Sequence, residues 1–331
     1  MFKETSFTTI SVLDSLRAFA SLAVCLFHFV CTTTGYITTP WILDVFSVGQ
    51  YGVQLFFVIS GFIIPWAMYH AGFKFQNFFT FLIKRLIRLE PPYVFSIIMA
   101  LSILFLRENV FGLQNHHTIS IKQVFLHFGY LIPFFKEYHW LNQVYWTLAI
   151  EFQYYFFIAL LFIPLLKANF VYRLLIYTSI IFVSFIGTSA FLLYWLPAFL
   201  LGILLFLTMS KLISKKEYYI STLCVVCFCF FKYPIPSVIF SIIPLVFILW
   251  FKDLKVYGLN SVGKFSYSVY LIHPLIGSSF INIMSHHFNS SLSKIIIILT
   301  GLILTIAGAY IMYFFIEKPS KTFSMKLKYD K

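Results

Sequence analysis

The sequence predicts an all-α polytopic membrane protein with about ten transmembrane helices and both termini in the cytoplasm. Three observations lead there. Hydrophobic residues make up 60% of the 331 and charged residues only 11%, mean hydropathy is +0.90, and the apolar residues gather in ten windows. A water-soluble globule needs more polar surface than this, so lipid has to be the main solvent. Aromatic residues reach 21%; Phe suits lipid-facing surface, while Tyr and Trp suit the interfaces, where one end of a ring stays wet. Residues 1–331 are expected to form a single membrane-embedded unit with no soluble domain.

A helix needs about 20 apolar residues, at about 1.5 Å each, to cross a hydrocarbon core of about 30 Å. Windows that meet or approach this run over 12–32, 52–70, 91–106, 146–166, 170–186, 191–209, 219–231, 236–251, 266–284 and 295–316, the seventh and eighth being short. With the N-terminus placed in the cytoplasm, eighteen of the 24 lysines and arginines fall inside. Arg107, Lys122, Lys136, Lys232 and Lys294 fall outside, and Arg17 lies within a span. That bias is the positive-inside pattern of an even number of spans. The net charge of +13 is then topological, and no nucleic-acid partner is expected.

The first span carries Asp14 and Arg17 and lacks a small-residue cleavage site, so it is expected to remain in the mature chain. Residues 124–135 are apolar but too short to cross, and read as a re-entrant or interfacial piece. No internal repeat is visible, whereas an inverted-repeat transporter should carry one. The five cysteines lie in apolar segments and are read as packing residues, with no metal site. His116, His117, His286 and His287 lack metal-ligand spacing to carboxylates and read as solvated.

Ionisable groups inside a bilayer are costly and mark function by default. Arg17 and His28 are 11 residues apart, about three full turns, so they share one helix face with a rise of about 16 Å between them. Glu151 lies about five residues below the far surface, near the depth of His28. Such a pair can form a couple in which the acid fixes the imidazole tautomer; the alternative is a Glu151 bonded to a neighbouring Tyr or Gln. Arg85 and Arg88 are three apart on one helical face, with Lys84 adjacent, suited to gripping phosphates or to anchoring at lipid headgroups. Gly61 permits close helix approach, and Ser60 beside it reads as packing. Pro274 predicts a break after His273, which serves as a cavity residue or as a structural donor.

Five segments taken together resemble the membrane acyltransferase-3 family. They are the Arg17 to His28 motif, Gly-Val-Gln-Leu-Phe-Phe-Val-Ile-Ser-Gly-Phe (52–62), Lys-Arg-Leu-Ile-Arg-Leu-Glu-Pro-Pro-Tyr (84–93), Trp-Thr-Leu-Ala-Ile-Glu-Phe-Gln-Tyr-Tyr (146–155), and Ser-Tyr-Ser-Val-Tyr-Leu-Ile-His-Pro (266–274) followed by Ile-Glu-Lys-Pro (316–319). They occur in family order over nearly the whole chain. The resemblance implies a ten-helix O-acyltransferase of the bacterial cytoplasmic membrane. Such an enzyme moves an acyl group, often acetyl, from cytoplasmic acyl-CoA to a hydroxyl of an exported or lipid-linked carbohydrate. It implies His28 as catalytic base, joined here by Glu151, with Arg17, Arg85 and Arg88 on the donor side. Acyl-CoA is then a donor substrate, with no permanently bound cofactor. Many members carry Asp at the place of Gln54, and many carry an acidic residue or Trp at the place of Phe152. No fused esterase-like domain is expected, so the chain acts alone or with separate polysaccharide-assembly proteins. A transporter or flippase of a lipid-linked sugar is the second reading.

Overall fold

The computed structural model describes residues 10–109 and 119–329; Lys3, His116, His117 and Lys331 lie outside them. The chain runs through α1 (Val12–Phe27), α2 (Pro40–Ser47), α3 (Gly52–His70), α4 (Phe78–Asn109), α5 (Ile121–Phe128), α6 (Trp146–Lys167), α7 (Phe170–Ile186) and α8 (Leu192–Met209). It continues through α9 (Lys215–Lys232), α10 (Ile235–Trp250), α11 (Tyr257–Gly263), α12 (Ser266–His273), α13 (Ser279–Ser285), α14 (Ser291–Met312) and α15 (Lys318–Lys326). Among the described residues there is no strand. Six helical stretches are long and apolar enough to cross a membrane, and α7 and α10 are shorter apolar helices. Each of the ten windows falls on helix.

Lipid-facing and buried helices differ as their sequences require. Every residue of α8 from Trp195 to Leu207 is buried, as befits a helix that is apolar all round and surrounded by others. By contrast α4 exposes Ile98, Phe105 and Leu106, and α14 exposes Ile295, Leu299 and Ile303, surface that only lipid can solvate. At the centre α3 crosses α8. A Cβ added at Gly61 would collide with the backbone carbonyl of Phe199, and one at Gly202 with the carbonyl of Val58. Small residues at such a crossing let backbones touch where no hydrophobic effect pulls helices together. Gly202→Ala is expected to cost at least about 1–3 kcal/mol through overpacking, read as a lowered thermal midpoint in detergent. An unchanged midpoint would show that α3 and α8 stand farther apart.

Two expectations need correction. The third window was expected to start at Pro91, yet α4 begins at Phe78 and passes through Pro91 and Pro92. Neighbouring helices re-satisfy backbone groups freed by proline in a membrane bundle, so the helix continues and carries Lys84, Arg85 and Arg88 on its first half. The tenth helix likewise runs on, through a π-helical turn at Tyr313–Glu317 into α15. The break expected after His273 is present, as a π-helical turn at Pro274–Ser278.

Within 124–135 the chain forms the end of α5 and a 3-10 turn, Ile132–Phe134. His127 pins this piece. Its Nδ1–H donates to the Gln123 carbonyl at 2.7 Å and its Nε2 accepts from the Leu141 N–H at 3.0 Å. Burial holds its pKa below the usual value, against a backbone hydrogen bond that raises it, so the neutral ring these two bonds require is the favoured one.

Candidate active site

One cavity, of about 150 Å³, opens at the end of the bundle where α1 begins. Its position follows from how α11 and α12 dock on α1. Ser15 Oγ donates to Asn260 Oδ1, Asn260 Nδ2 donates to the Ser11 carbonyl at 3.1 Å, and Gly263 lies against the backbone of Asp14. That contact brings Lys264 to the cavity wall beside Arg17, whose guanidinium is 4.0 Å from Asp14 Oδ1. Glu317 accepts from Ser268 Oγ at 2.6 Å and from Ser268 N–H at 3.2 Å, in the first turn of α12 where a carboxylate meets the positive end of the helix dipole. This tie holds Lys321 in the same wall. The cavity therefore gathers Arg17, Arg88, Lys264 and Lys321 with the carboxylates of Asp14, Glu151 and Glu317. It is a ready site for an anion with several oxygens.

The arginine pair of α4 divides. Arg88 lines the cavity, whereas the Arg85 guanidinium stacks on Phe81 at 5.3 Å and on Tyr155 at 5.5 Å. Lys84 is committed too, donating to the Leu327 carbonyl at 2.5 Å over the Tyr329 ring.

A second cavity, of about 440 Å³, lies at the other end of α1. His28 lines it together with Gln54, Gln143, Trp146, Trp195 and Tyr233. His28 opens a π-helical turn, His28–Thr32, a distortion common at functional sites. The turn places Thr32 Oγ1 at 3.0 Å from His28 Nδ1 and 3.2 Å from the His28 carbonyl. A hydroxyl that donates to the carbonyl accepts from Nδ1–H, which leaves Nε2 as the basic nitrogen. The facing π-turn is bonded to this one through Thr33 Oγ1 and Ser278 Oγ at 3.0 Å. His273, its ring centroid 5.2 Å from that of His28, is fully buried. It donates through Nδ1 to the Tyr270 carbonyl at 2.8 Å, the structural-donor reading of this residue.

The couple expected between His28 and Glu151 is not formed. Their side chains line different cavities, and Glu151 Oε1 instead accepts from Tyr155 at 2.6 Å and Ser60 at 3.3 Å. Counting residues from a helix end does not foresee that Glu151 joins the wall of the Arg17 cavity. Thr32, one turn along, takes the tautomer-fixing place given to Glu151. Thr32→Val is therefore expected to lower turnover by roughly 10-fold, the upper worth of one hydrogen bond of about 1.5 kcal/mol, with Thr32→Ser near wild type. Equal activity of Thr32→Val would remove Thr32 from the site.

The two cavities share Val53 and Tyr270 in their walls. Tyr270 is held there by Thr147 Oγ1 at 2.8 Å, and Thr147 is anchored to the Val144 carbonyl at 2.9 Å. The Arg17 cavity and the His28 cavity thus meet at this junction. Lys264, Glu317 and Lys321 were not visible as site residues in the sequence, because long-range docking of α11, α12 and the C-terminal helix brings them in. The only local signal was the Ile-Glu-Lys-Pro segment.

A family profile described as an acyltransferase domain matches residues 10–314. No curated protein and no solved structure matches the chain. Nearly the whole chain falls within that match, with every lining residue of the two cavities except Glu317 and Lys321, and this multi-pass membrane protein belongs to the acyltransferase-3 family.

Proposed function

We propose that the chain is an O-acyltransferase of a bacterial cytoplasmic membrane, with ten spans and cytoplasmic termini, that carries an acyl group across the bilayer from acyl-CoA to a carbohydrate hydroxyl. What supports the reading is a single observation: a cationic cavity and a histidine cavity at opposite ends of α1 meet at Val53 and Tyr270. The phosphates of acyl-CoA rest on Arg17, Arg88, Lys264 and Lys321 at the cytoplasmic end, with Arg85 adding positive charge from behind Tyr155 and Glu151 holding that wall through Tyr155 and Ser60. The pantetheine arm runs along α1 and passes the junction, which delivers the thioester to His28.

His28 Nε2 takes the proton of an acceptor hydroxyl arriving from the outer side, and the alkoxide oxygen attacks the thioester carbonyl. The carbon–sulfur bond then breaks, the thiolate takes the proton back from the imidazolium, and an ester and free CoA leave. In the variant with an acyl-histidine intermediate, Nε2 itself attacks first.

The donor half is tested by kinetics. Arg88→Ala is expected to raise KM for acetyl-CoA by about 10–100-fold, the worth of a charged hydrogen bond of about 1.5–3 kcal/mol, with kcat changed little. Unchanged KM in both Arg88→Ala and Arg17→Ala would remove the phosphates from this cavity. The reaction class is tested by transfer of radiolabelled acetyl from acetyl-CoA to the host's surface glycans; no label above that of membranes lacking the protein contradicts it.

A further inference from the structure

The cavity at His28 carries a second message in what lines it. No Asp, Glu, Lys or Arg is among its lining residues. Its wall is made of indole and phenol rings: Trp195 and Tyr233 lie within 5° of parallel with centroids 6.3 Å apart, and Trp146 stands 5.4 Å from Trp195. The polar tips of two of these rings are already committed. Trp195 Nε1 donates to the Ser189 carbonyl at 2.9 Å and the Tyr233 hydroxyl to the Tyr194 carbonyl, so both offer the cavity ring surface rather than hydrogen bonds. Lys232 is committed as well, its ammonium lying over the Tyr194 ring at 4.4 Å and donating to the Ser184 carbonyl.

Against this wall stand two buried polar atoms with no partner. Gln54 is 7% exposed and Ser237 1% exposed, both line the cavity, and Gln54 Oε1 and Ser237 Oγ each lack a hydrogen bond. A buried acceptor without a donor is costly; a hydroxyl-bearing ligand relieves that cost. A carboxylate or ammonium on the same ligand would be stripped of water without a countercharge. The volume, about 440 Å³, is in the range of small-molecule sites.

We propose that this cavity selects an uncharged pyranose, packed on Trp146, Trp195 and Tyr233 and hydrogen-bonded to Gln54 Oε1 and Ser237 Oγ, and that it rejects uronic acids and amino sugars. The inference rests on reading this cavity as the acceptor side of the acyltransferase. An ammonium is attracted to aromatic faces, so the cationic sugar is included in the test.

The test uses full-length protein in nanodiscs and three methyl glycosides that differ only in charge: glucoside, glucuronide and glucosaminide. Binding is read by calorimetry and ligand-observed magnetic resonance, and transfer is read separately with labelled acetyl-CoA. The glucoside is expected to bind wild type at least about tenfold more tightly than either charged glycoside. Trp195→Ala should weaken the glucoside by about tenfold. Gln143 is exposed, so Gln143→Arg should fold and should bring the glucuronide up to the affinity of the glucoside. Glucuronide or glucosaminide binding to wild type as tightly as the glucoside overturns the proposal, as does glucoside binding indifferent to Trp195→Ala. If none of the three binds while labelled acetyl still reaches host glycans, the selection is wrong and the transfer reading survives. If the glucoside binds as described yet never receives acetyl, the selection stands and the transfer reading fails.

Discussion

Replacing His28 with alanine is expected to lower acyl transfer by about 10²–10⁴-fold, the worth of a positioned general base. The expectation rests on three features that converge on one ring. His28 lines the larger cavity, its Nδ1 is satisfied by Thr32 at 3.0 Å, and the partner ring of His273 binds its own helix backbone through Nδ1. His273 Nε2 also lacks a partner, but that ring is fully buried and lines neither cavity, so His28 is the imidazole whose free nitrogen can meet an acceptor hydroxyl. His28→Gln should be as inactive as His28→Ala, because the amide keeps much of the volume and cannot take a proton. KM for acetyl-CoA should change little in either variant, since Arg17, one of the cations proposed to hold the phosphates, lies about 16 Å away along α1. Initial rates in membranes with matched expression decide the matter; a His28→Gln enzyme within tenfold of wild type would assign the base elsewhere.

Val53→Trp is expected to separate donor binding from transfer. Val53 is 7% exposed and belongs to the walls of both cavities, so an indole there fills the junction through which the proposed route of the thioester runs. Transfer should fall by about 10²-fold or more, as even small misplacement of a reacting group does. Acetyl-CoA should still bind, because Arg17, Arg88, Lys264 and Lys321 are untouched. A folded Val53→Trp protein that transfers at the wild-type rate would mean that the acyl group takes another route.

Much of this arrangement is legible in one dimension, and the reasons for the rest are physical. The positions of the ten helical windows follow from apolar length alone, and the facing of Arg17 and His28 follows from helical periodicity along one continuous element. Helix-to-helix relations do not follow. Arg85 and Arg88 share a face by spacing, yet the rings of Phe81 and Tyr155 draw one of them away from the cavity. Glu151, expected at the depth of His28, lines the cavity at the other end of α1 and bonds Tyr155 on its own helix, the alternative that spacing had left open. Thr32 is four residues from His28, a spacing at which helical side chains meet, but a threonine there gives no sign in the sequence that it holds the ring. Lys264 and Lys321 reach the cavity through the docking of Gly263 on α1 and of Glu317 on α12. Those contacts join residues 249 positions apart in the first case and 49 in the second.

In the proposed reaction one chain accepts an acyl group at the end where α1 begins and delivers it at the end where His28 stands. Inverted membrane vesicles test it most directly, with radiolabelled acetyl-CoA supplied only outside, which is the former cytoplasmic face, and methyl glucoside trapped only in the lumen. The expected result is labelled, acetylated glucoside in the lumen with wild type and none with His28→Gln. Label that appears only when glucoside and acetyl-CoA share the outer compartment, or that is equal in the two proteins, would contradict the account.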